Sequence, residues 1–218
     1  SGRTNPLAEH HHEFWRWVWS LERGVRPHPL VAIWPRGGGK STNAEMACVA
    51  AGARGARKYA LYISEKQDQA DDHVSNIAAL LESDGVERFY PSAAERSIGK
   101  YGASRGWRRN RLRTAAGFTV DAIGLDVAAR GVKLEEMRPD LIVLDDIDSE
   151  ADSLETIAKK VRIITTKLLP AGSGDAAVLA VQNLIHYEGV FARLAGVASE
   201  EADFLADRIV SGPHPAIV

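Results

Sequence analysis

The 218-residue chain has one cysteine, Cys48, and two methionines. A single thiol excludes a disulfide within the chain and any cysteine-rich zinc site, and it fits a reducing cytosol. Long apolar runs are also missing. No stretch approaches the roughly 18–20 apolar residues of a membrane span, and no apolar leader with a cleavage site opens the sequence. Neither a membrane span nor secretion is expected. Charge of one sign is lacking too: 27 Lys and Arg face 29 Asp and Glu, a net charge of −2. The chain as a whole is therefore neither a basic nucleic-acid binder nor a polyanion, and any DNA-binding surface has to be a local patch. Internal repeats and low-complexity segments are absent.

What is present is enough apolar material for a core, 45% of residues, in a length that suits one large domain or two small ones. In "AEHHHEFWRWVWSL" (8–21), Phe14, Trp17 and Val18 fall at i, i+3, i+4 spacing and predict a helix with one apolar face. Gly24, Pro27 and Pro29 end it. "LVAIW" (30–34) reads as a buried strand and "STNAEMACVAAGA" (41–53) as a small-residue helix. "KYALYIS" (58–64) is a second strand. Residues 65–83 form a helix with Ala70, Val74, Ile77, Ala78 and Leu81 on one face. Residues 84–106 show no clear period. "WRRNRLRT" and "FTVDAIG" flank Ala115-Ala116-Gly117 and predict a hairpin.

Residues 130–139 read as a polar connection and "DLIVLDD" (140–146) as a buried strand. "SLETIAKKVRIITTKLL" (153–169) is a helix capped by Asp152 or Ser153 and stopped by Pro170 and Gly172. "AAVLAVQN" (176–183) is a strand ending in amides, "YEGVFARLAG" (187–196) a short helix, and "DRIVSGPHPAIV" offers a last strand. Strands alternating with helices imply an α/β fold, a mainly parallel sheet covered on both faces. Such sheets bind ligands at the carboxyl ends of their strands.

Three groups of polar residues fall at those ends. The first is "WPRGGGKST" (34–42), close to the phosphate-loop pattern G-x-x-x-x-G-K-[ST] but with Trp34 at the first glycine and Arg36 inside the loop. Gly37, Gly38 and Gly39 let backbone N–H groups turn toward phosphate oxygens. The helix that follows adds unpaired N–H groups and a partial positive charge. Lys40 would reach the β- and γ-phosphates, the Ser41 hydroxyl would ligate Mg²⁺, and Thr42 extends the ATP-binding segment. The second group is Asp145 and Asp146. A carboxylate at a buried strand's exit needs a partner, which Mg²⁺ or its water shell supplies to Asp145. Asp146, pointing differently, is placed to orient or deprotonate an attacking water. Asp148, Glu150 and Asp152 continue the acidic run and read as solvated loop and helix cap, although they leave the choice of base open.

The third group is Gln182 and Asn183. Two adjacent acids suit hydrolysis, and the GTPase signature N-K-x-D is absent. These features point to the ATPase branch of the P-loop NTPases, in which an additional strand lies between the loop strand and the acid strand. "AAVLAVQN" would be that strand. Its amides would face the γ-phosphate and report hydrolysis, or simply cap the strand.

The series of an aromatic N-terminal helix, "WPRGGGKST", "YISEKQDQA", "RG" before "RPDLIVLDD", and "VQN" resembles the ATPase (motor) domain of a tailed-phage large terminase subunit. The likeness covers roughly residues 8–200. It implies a single P-loop ATPase domain over residues 1–218, with ATP and Mg²⁺ as cofactors, that drives double-stranded DNA into a procapsid. It also implies Arg36 as a γ-phosphate contact, Asp145 as the magnesium acid, and Asp146 where the family often has glutamate. Gln182 and Asn183 match the coupling motif without its commoner Gly-Thr form, and Arg130 matches an arginine acting across a subunit boundary. The partners implied are the portal of the procapsid, the small terminase subunit and further copies in a ring of about five. The implied location is the cytoplasm of the infected bacterial host. The family's C-terminal nuclease domain has no counterpart here, so no DNA cleavage is expected. A helicase-like or switch ATPase, or a nucleotide-binding scaffold, is the alternative.

Outside these motifs, Arg109, Arg111 and Arg113 would share one face of a strand and contact DNA phosphates or a neighbouring subunit, or guard a sheet edge. His10 to His12 read as a solvated helix start. Trp15 and Trp17 read as core packing, with support of a nucleotide base as the other use.

Overall fold

The structure, a computed structural model, describes residues 7–104, 106–128, 137–198 and 204–214. Its centre is one seven-stranded sheet. In chain order the strands are β1 (Leu30–Ile33), β2 (Tyr59–Ser64), β3 (Arg111–Arg113), β4 (Thr119–Gly124), β5 (Leu141–Asp145), β6 (Ala177–Gln182) and β7 (Ile209–Ser211). Their spatial order is β3-β4-β2-β5-β6-β1-β7. Every neighbouring pair is parallel except β3 with β4. The strand that ends in amides, β6, thus lies between the loop strand β1 and the acid strand β5, as the additional-strand arrangement requires.

Alternation along each strand builds two cores. Leu30 and Ala32 of β1 join one face, with Ala60, Tyr62, Val143 and Leu179. Val31 and Ile33 join the other, with Leu61, Ile142, Leu144 and Val178. The first face is covered by α1 (Glu9–Trp19), α2 (Lys40–Ala53) and α3 (Gln67–Leu81), through Phe14, Trp17, Cys48, Val74 and Ile77. The second is covered by α6 (Leu125–Ala128), by α7 (Leu154–Ile163) with the turn that follows it, and by α9 (Val190–Leu194). α2 lies close to the sheet because its residues are small. A Cβ on Gly52 would sit 2.3 Å from the Phe118 ring, so that ring packs only against a glycine.

Several expected elements take a different form. Residues 84–106 contain two short helices, α4 (Asp84–Phe89) and α5 (Pro91–Ala94). The expected hairpin forms, β3 antiparallel to β4, and it is continuous with the sheet because β4 also pairs along its whole length with β2. The helix expected over 153–169 runs on past Pro170. α7 passes into a π-helical turn over Ile164–Leu168 and then α8 (Leu169–Ala171). Proline lacks an N–H and its ring collides with the carbonyl four residues back, and the wider turn accommodates both. The Leu169 N–H bonds Ile164 O, five residues back, while the Thr165 and Thr166 hydroxyls donate to Val161 O and Arg162 O. No helix among the described residues is long and apolar enough to cross a membrane.

Candidate functional site

The loop after β1 begins later than the sequence pattern suggests. Trp34 still belongs to the sheet: its N–H donates to Gln182 O at 3.2 Å. Its indole is buried against Phe14, His10 and His11. Tryptophan replaces the first glycine because that position is core. The turn itself spans Pro35 to Gly39, closed by Gly38 N–H to Pro35 O at 3.1 Å. Gly37 and Gly39 have φ of 78° and 72°, the left-handed region that favours glycine. Gly39 caps α2 without a side chain, so the first N–H groups of that helix keep no side-chain partner, the arrangement an anion site requires. Lys40 is buried at the same end, its Nζ 3.5 Å from Pro35 O. Thr42 is exposed on the first turn.

Asp145 is fully buried. Its Oδ1 accepts the Ser41 hydroxyl at 3.1 Å, and its Oδ2 accepts the Tyr62 hydroxyl at 2.6 Å. His73 of α3 brings Nε2 within 3.6 Å of the same Oδ2, while its Nδ1 lies 2.7 Å from the buried Glu45. Burial pushes the Asp145 carboxyl up to about 6, although the His73 charge and the Tyr62 and Ser41 hydrogen bonds pull it down. Burial works against protonating His73, but the Glu45 hydrogen bond and the Asp145, Glu45 and Asp146 charges outweigh it and raise its pKa.

Asp146 is next in sequence but lies in a different environment. Among the described residues it is the one non-glycine with positive φ, 49°. That conformation costs roughly 1–2 kcal/mol for most L-residues, and Asp tolerates it better than most. The turn leaves Asp146 exposed in a cleft of about 620 Å³ that Arg36, Lys40, Glu65, Glu150 and Asn183 also line. Arg36 meets Glu150 at 3.3 Å.

Gln182 does not face the cleft's centre with a free amide, as its place at a strand end suggested. Its Oε1 accepts Ile147 N–H and Asp148 N–H, at 2.9 and 3.0 Å, and its Nε2 donates to Asp148 O at 2.9 Å. The later acids are likewise not solvated, except Glu150. Asp148 is buried and accepts the Val190 and Phe191 N–H groups at the start of α9. Asp152 accepts from Ser149 N–H and from buried Lys160, which also holds Glu65 and Ile147 O. Ser153, not Asp152, caps α7 through Thr156 N–H.

The three arginines do not form one row. Arg111 and Arg113 share a face of β3, but Arg109 precedes the strand and turns to Asp72 of α3 at 3.0 Å. Arg111 grips Asp121 with two guanidinium nitrogens. His10 and His11 are half-buried rather than a solvated helix start, because Trp34 offers them a surface. His11 Nε2 lies 3.1 Å from Gly38 O of the loop. Trp15 donates to Asn43 of α2, and Trp17 is core, donating to His28 O. Arg130 lies outside the described residues.

Sequence reasoning missed His73, Tyr62, Glu45, Glu65 and Lys160. "YISEKQDQA" contained one signal, an acid directly after a buried strand. His73 and Glu45 gave none, because they meet only when two helices pack.

These features define the protein's class: it has the P-loop ATPase fold of the additional-strand type, with the loop lysine, loop serine and strand-end acid in place. More particularly, the fold is similar to that of a phage DNA packaging ATPase domain. The N-terminal domain of the DNA packaging ATPase from bacteriophage phi29 matches with a TM-score of 0.51 and 12% identity, over 85% of this chain and 90% of that one. The large terminase ATPase domain of Thermus phage P74-26 matches with a TM-score of 0.47 and 15% identity, over 84% of this chain and 72% of that one. No protein-family model matches the sequence, and no curated protein matches it.

Proposed function

We propose that this chain hydrolyses ATP with Mg²⁺ and that hydrolysis drives double-stranded viral DNA into a procapsid. One observation carries the chemistry. The hydroxyl of the loop serine, Ser41, bonds the buried strand-end acid Asp145 at 3.1 Å, beside a glycine loop and a helix N-terminus. Ser41 and Asp145 fit a magnesium site. Among the described residues no cluster of three or more His, Cys, Asp or Glu has metal-holding geometry. That suits Mg²⁺, which takes one or two protein ligands and completes its shell with phosphate and water. When bound, it would neutralise charge developing on the phosphates.

The chain's own residues then divide the work. Gly37 to Gly39 and the first turn of α2 cradle phosphate oxygens, with Thr42 beside them, and Lys40 reaches toward the terminal phosphates. Asp146 orients and deprotonates the attacking water. Arg36 contacts the γ-phosphate, and Arg130 acts across a subunit boundary. Gln182 couples by tying the end of β6 to Ile147 and Asp148, directly after the two acids. Asn183 borders the same cleft. The packaging role is supported by the shared fold with a DNA packaging ATPase and by the motif series. On this reading the domain works on a portal, in a ring, with a small terminase subunit as partner. DNA phosphate contact falls to Arg113 and to Arg109, whose pair with Asp72 is solvent-exposed, rather than to Arg111, whose guanidinium is half-buried against Asp121.

Fluorescent ATP-analogue binding and phosphate release test this reading. Lys40→Ala should weaken binding about a hundredfold, as loss of a buried charged contact does. Asp146→Asn should bind normally and not turn over. Unchanged analogue binding by Lys40→Ala would remove the phosphate site from this loop.

A further inference from the structure

On the reading that Ser41 and Asp145 hold the cation, we infer that His73 is a positioning residue for Asp145, reaching it from α3 with Glu45 of α2 behind it. The two oxygens of Asp145 have separate uses. Oδ1 faces the Ser41 hydroxyl, the side on which a cation would be shared. Oδ2 is held by protein alone: the Tyr62 hydroxyl donates to it at 2.6 Å, and His73 Nε2 lies at ion-pair distance, 3.6 Å. A carboxylate tethered at one oxygen cannot swing, so its other oxygen keeps one direction.

The imidazole is itself fixed on two sides. Its Nδ1 meets Glu45 Oε1 at 2.7 Å, and its ring tilts over Tyr62 with centroids 4.9 Å apart. Glu45 is held in turn by Asn76 Nδ2 at 2.9 Å. Glu45 and His73 therefore carry the packing of α2 on α3 to the acid at the end of β5. Partners behind a metal ligand orient it, and losing one commonly costs 10–100-fold in metal affinity. A clamp serving only to join the two helices would have no reason to place its second nitrogen on Asp145.

The test separates orientation from folding. Binding of methylanthraniloyl-ATP is measured by fluorescence with EDTA and across a Mg²⁺ titration, for the wild-type chain, His73→Ala, His73→Gln and Glu45→Gln. His73→Ala should keep its metal-free affinity within about twofold but need roughly tenfold more Mg²⁺ for half of the metal-dependent gain. His73→Gln, whose amide N–H₂ can still donate toward Asp145, should recover part of that loss. Glu45→Gln should fall between them. A folded His73→Ala with a wild-type Mg²⁺ midpoint overturns the inference, as does a loss of metal-free affinity equal to the loss with Mg²⁺. If His73→Ala does not fold, a Glu45→Gln midpoint equal to wild type overturns it. A wild-type chain that binds the analogue with no Mg²⁺ enhancement fails at the cation reading itself, and the inference falls with it. The EDTA arm distinguishes that failure from a mistaken role for His73.

Discussion

The site has two unlike walls, a buried one that lies behind the cleft and an open one that lines it. On the α2–α3 side, Asp145, Ser41, Tyr62, His73 and Glu45 sit against one another, and Asp145 meets three of the others. On the opposite side Arg36 and Glu150 are 77% and 72% exposed and form one pair at 3.3 Å, while Asp146 beside them is exposed. The boundary between the walls falls inside a single peptide link, where φ of 49° at Asp146 turns it away from Asp145. The first wall is built before any ligand arrives. The second has groups of the right kind with little to hold them in place, so a ligand or a neighbouring subunit has to supply their order. On the proposed function, a site divided this way binds with one wall and senses with the other.

The largest effect should come from the built wall. Asp145→Asn should reduce turnover at least a hundredfold, the loss of several kcal/mol of charge stabilisation at the phosphates. It should also make the ligand-free protein more stable at neutral pH. Burial raises the Asp145 pKa to about 6, so the folded state binds that proton more readily than the unfolded chain does. The stabilisation from protonating Asp145 is complete below about pH 4 and lost as pH rises through about 6, an effect of order 3 kcal/mol. Urea melts of wild type and variant should therefore converge at pH 4 and separate at pH 7.5, with the variant ahead. A variant that is less stable at pH 7.5 would mean that the donors outweigh burial, and the wall would be stabilising rather than strained for function.

The floor joining the two walls comes next. Gln182→Ala leaves two buried N–H groups and one carbonyl, of Ile147 and Asp148, without their amide partner. The expected cost is about 2–4 kcal/mol, read from the midpoint of chemical denaturation. A loss under about 1 kcal/mol would show that water replaces the amide easily and that the floor does not transmit motion between the walls.

The sequence carried much of the architecture, because hydrophobic period and glycine placement are local properties. "LVAIW", "KYALYIS", "DLIVLDD" and "AAVLAVQN" are all strands, and the adjacency of β6 to both β1 and β5 was legible from the ATPase logic of the two acids. The turn at Gly37 and Gly39 and the helix start at Lys40 and Ser41 were legible because they form one continuous segment. The built wall was not, beyond its acid and serine. Tyr62 looks like any strand aromatic, and His73 and Glu45 lie 28 residues apart on separate helices. Burial of Asp148 and Asp152 was equally hidden, since their partners at Val190 and Lys160 belong to elements whose docking no local pattern encodes. Charged residues in a run read as solvated until the backbone groups they cap are known.

The smallest effect should belong to the open wall, and it is the sharpest check on the contrast. Two side chains this exposed gain little from pairing, because water screens the attraction and ordering both chains costs entropy. A double-mutant cycle of Arg36→Ala with Glu150→Ala should give a stability coupling of no more than about 0.5 kcal/mol. Turnover should respond differently: Arg36→Ala should slow phosphate release far more than it weakens analogue binding, since the proposed γ-phosphate contact acts when charge moves. Glu150→Ala should leave analogue binding nearly unchanged, because it only releases an arginine already in solvent. A coupling above about 1 kcal/mol would mean that Arg36 is held before ATP arrives. The two walls would then be equally prebuilt, and sensing would have to arise elsewhere in the chain.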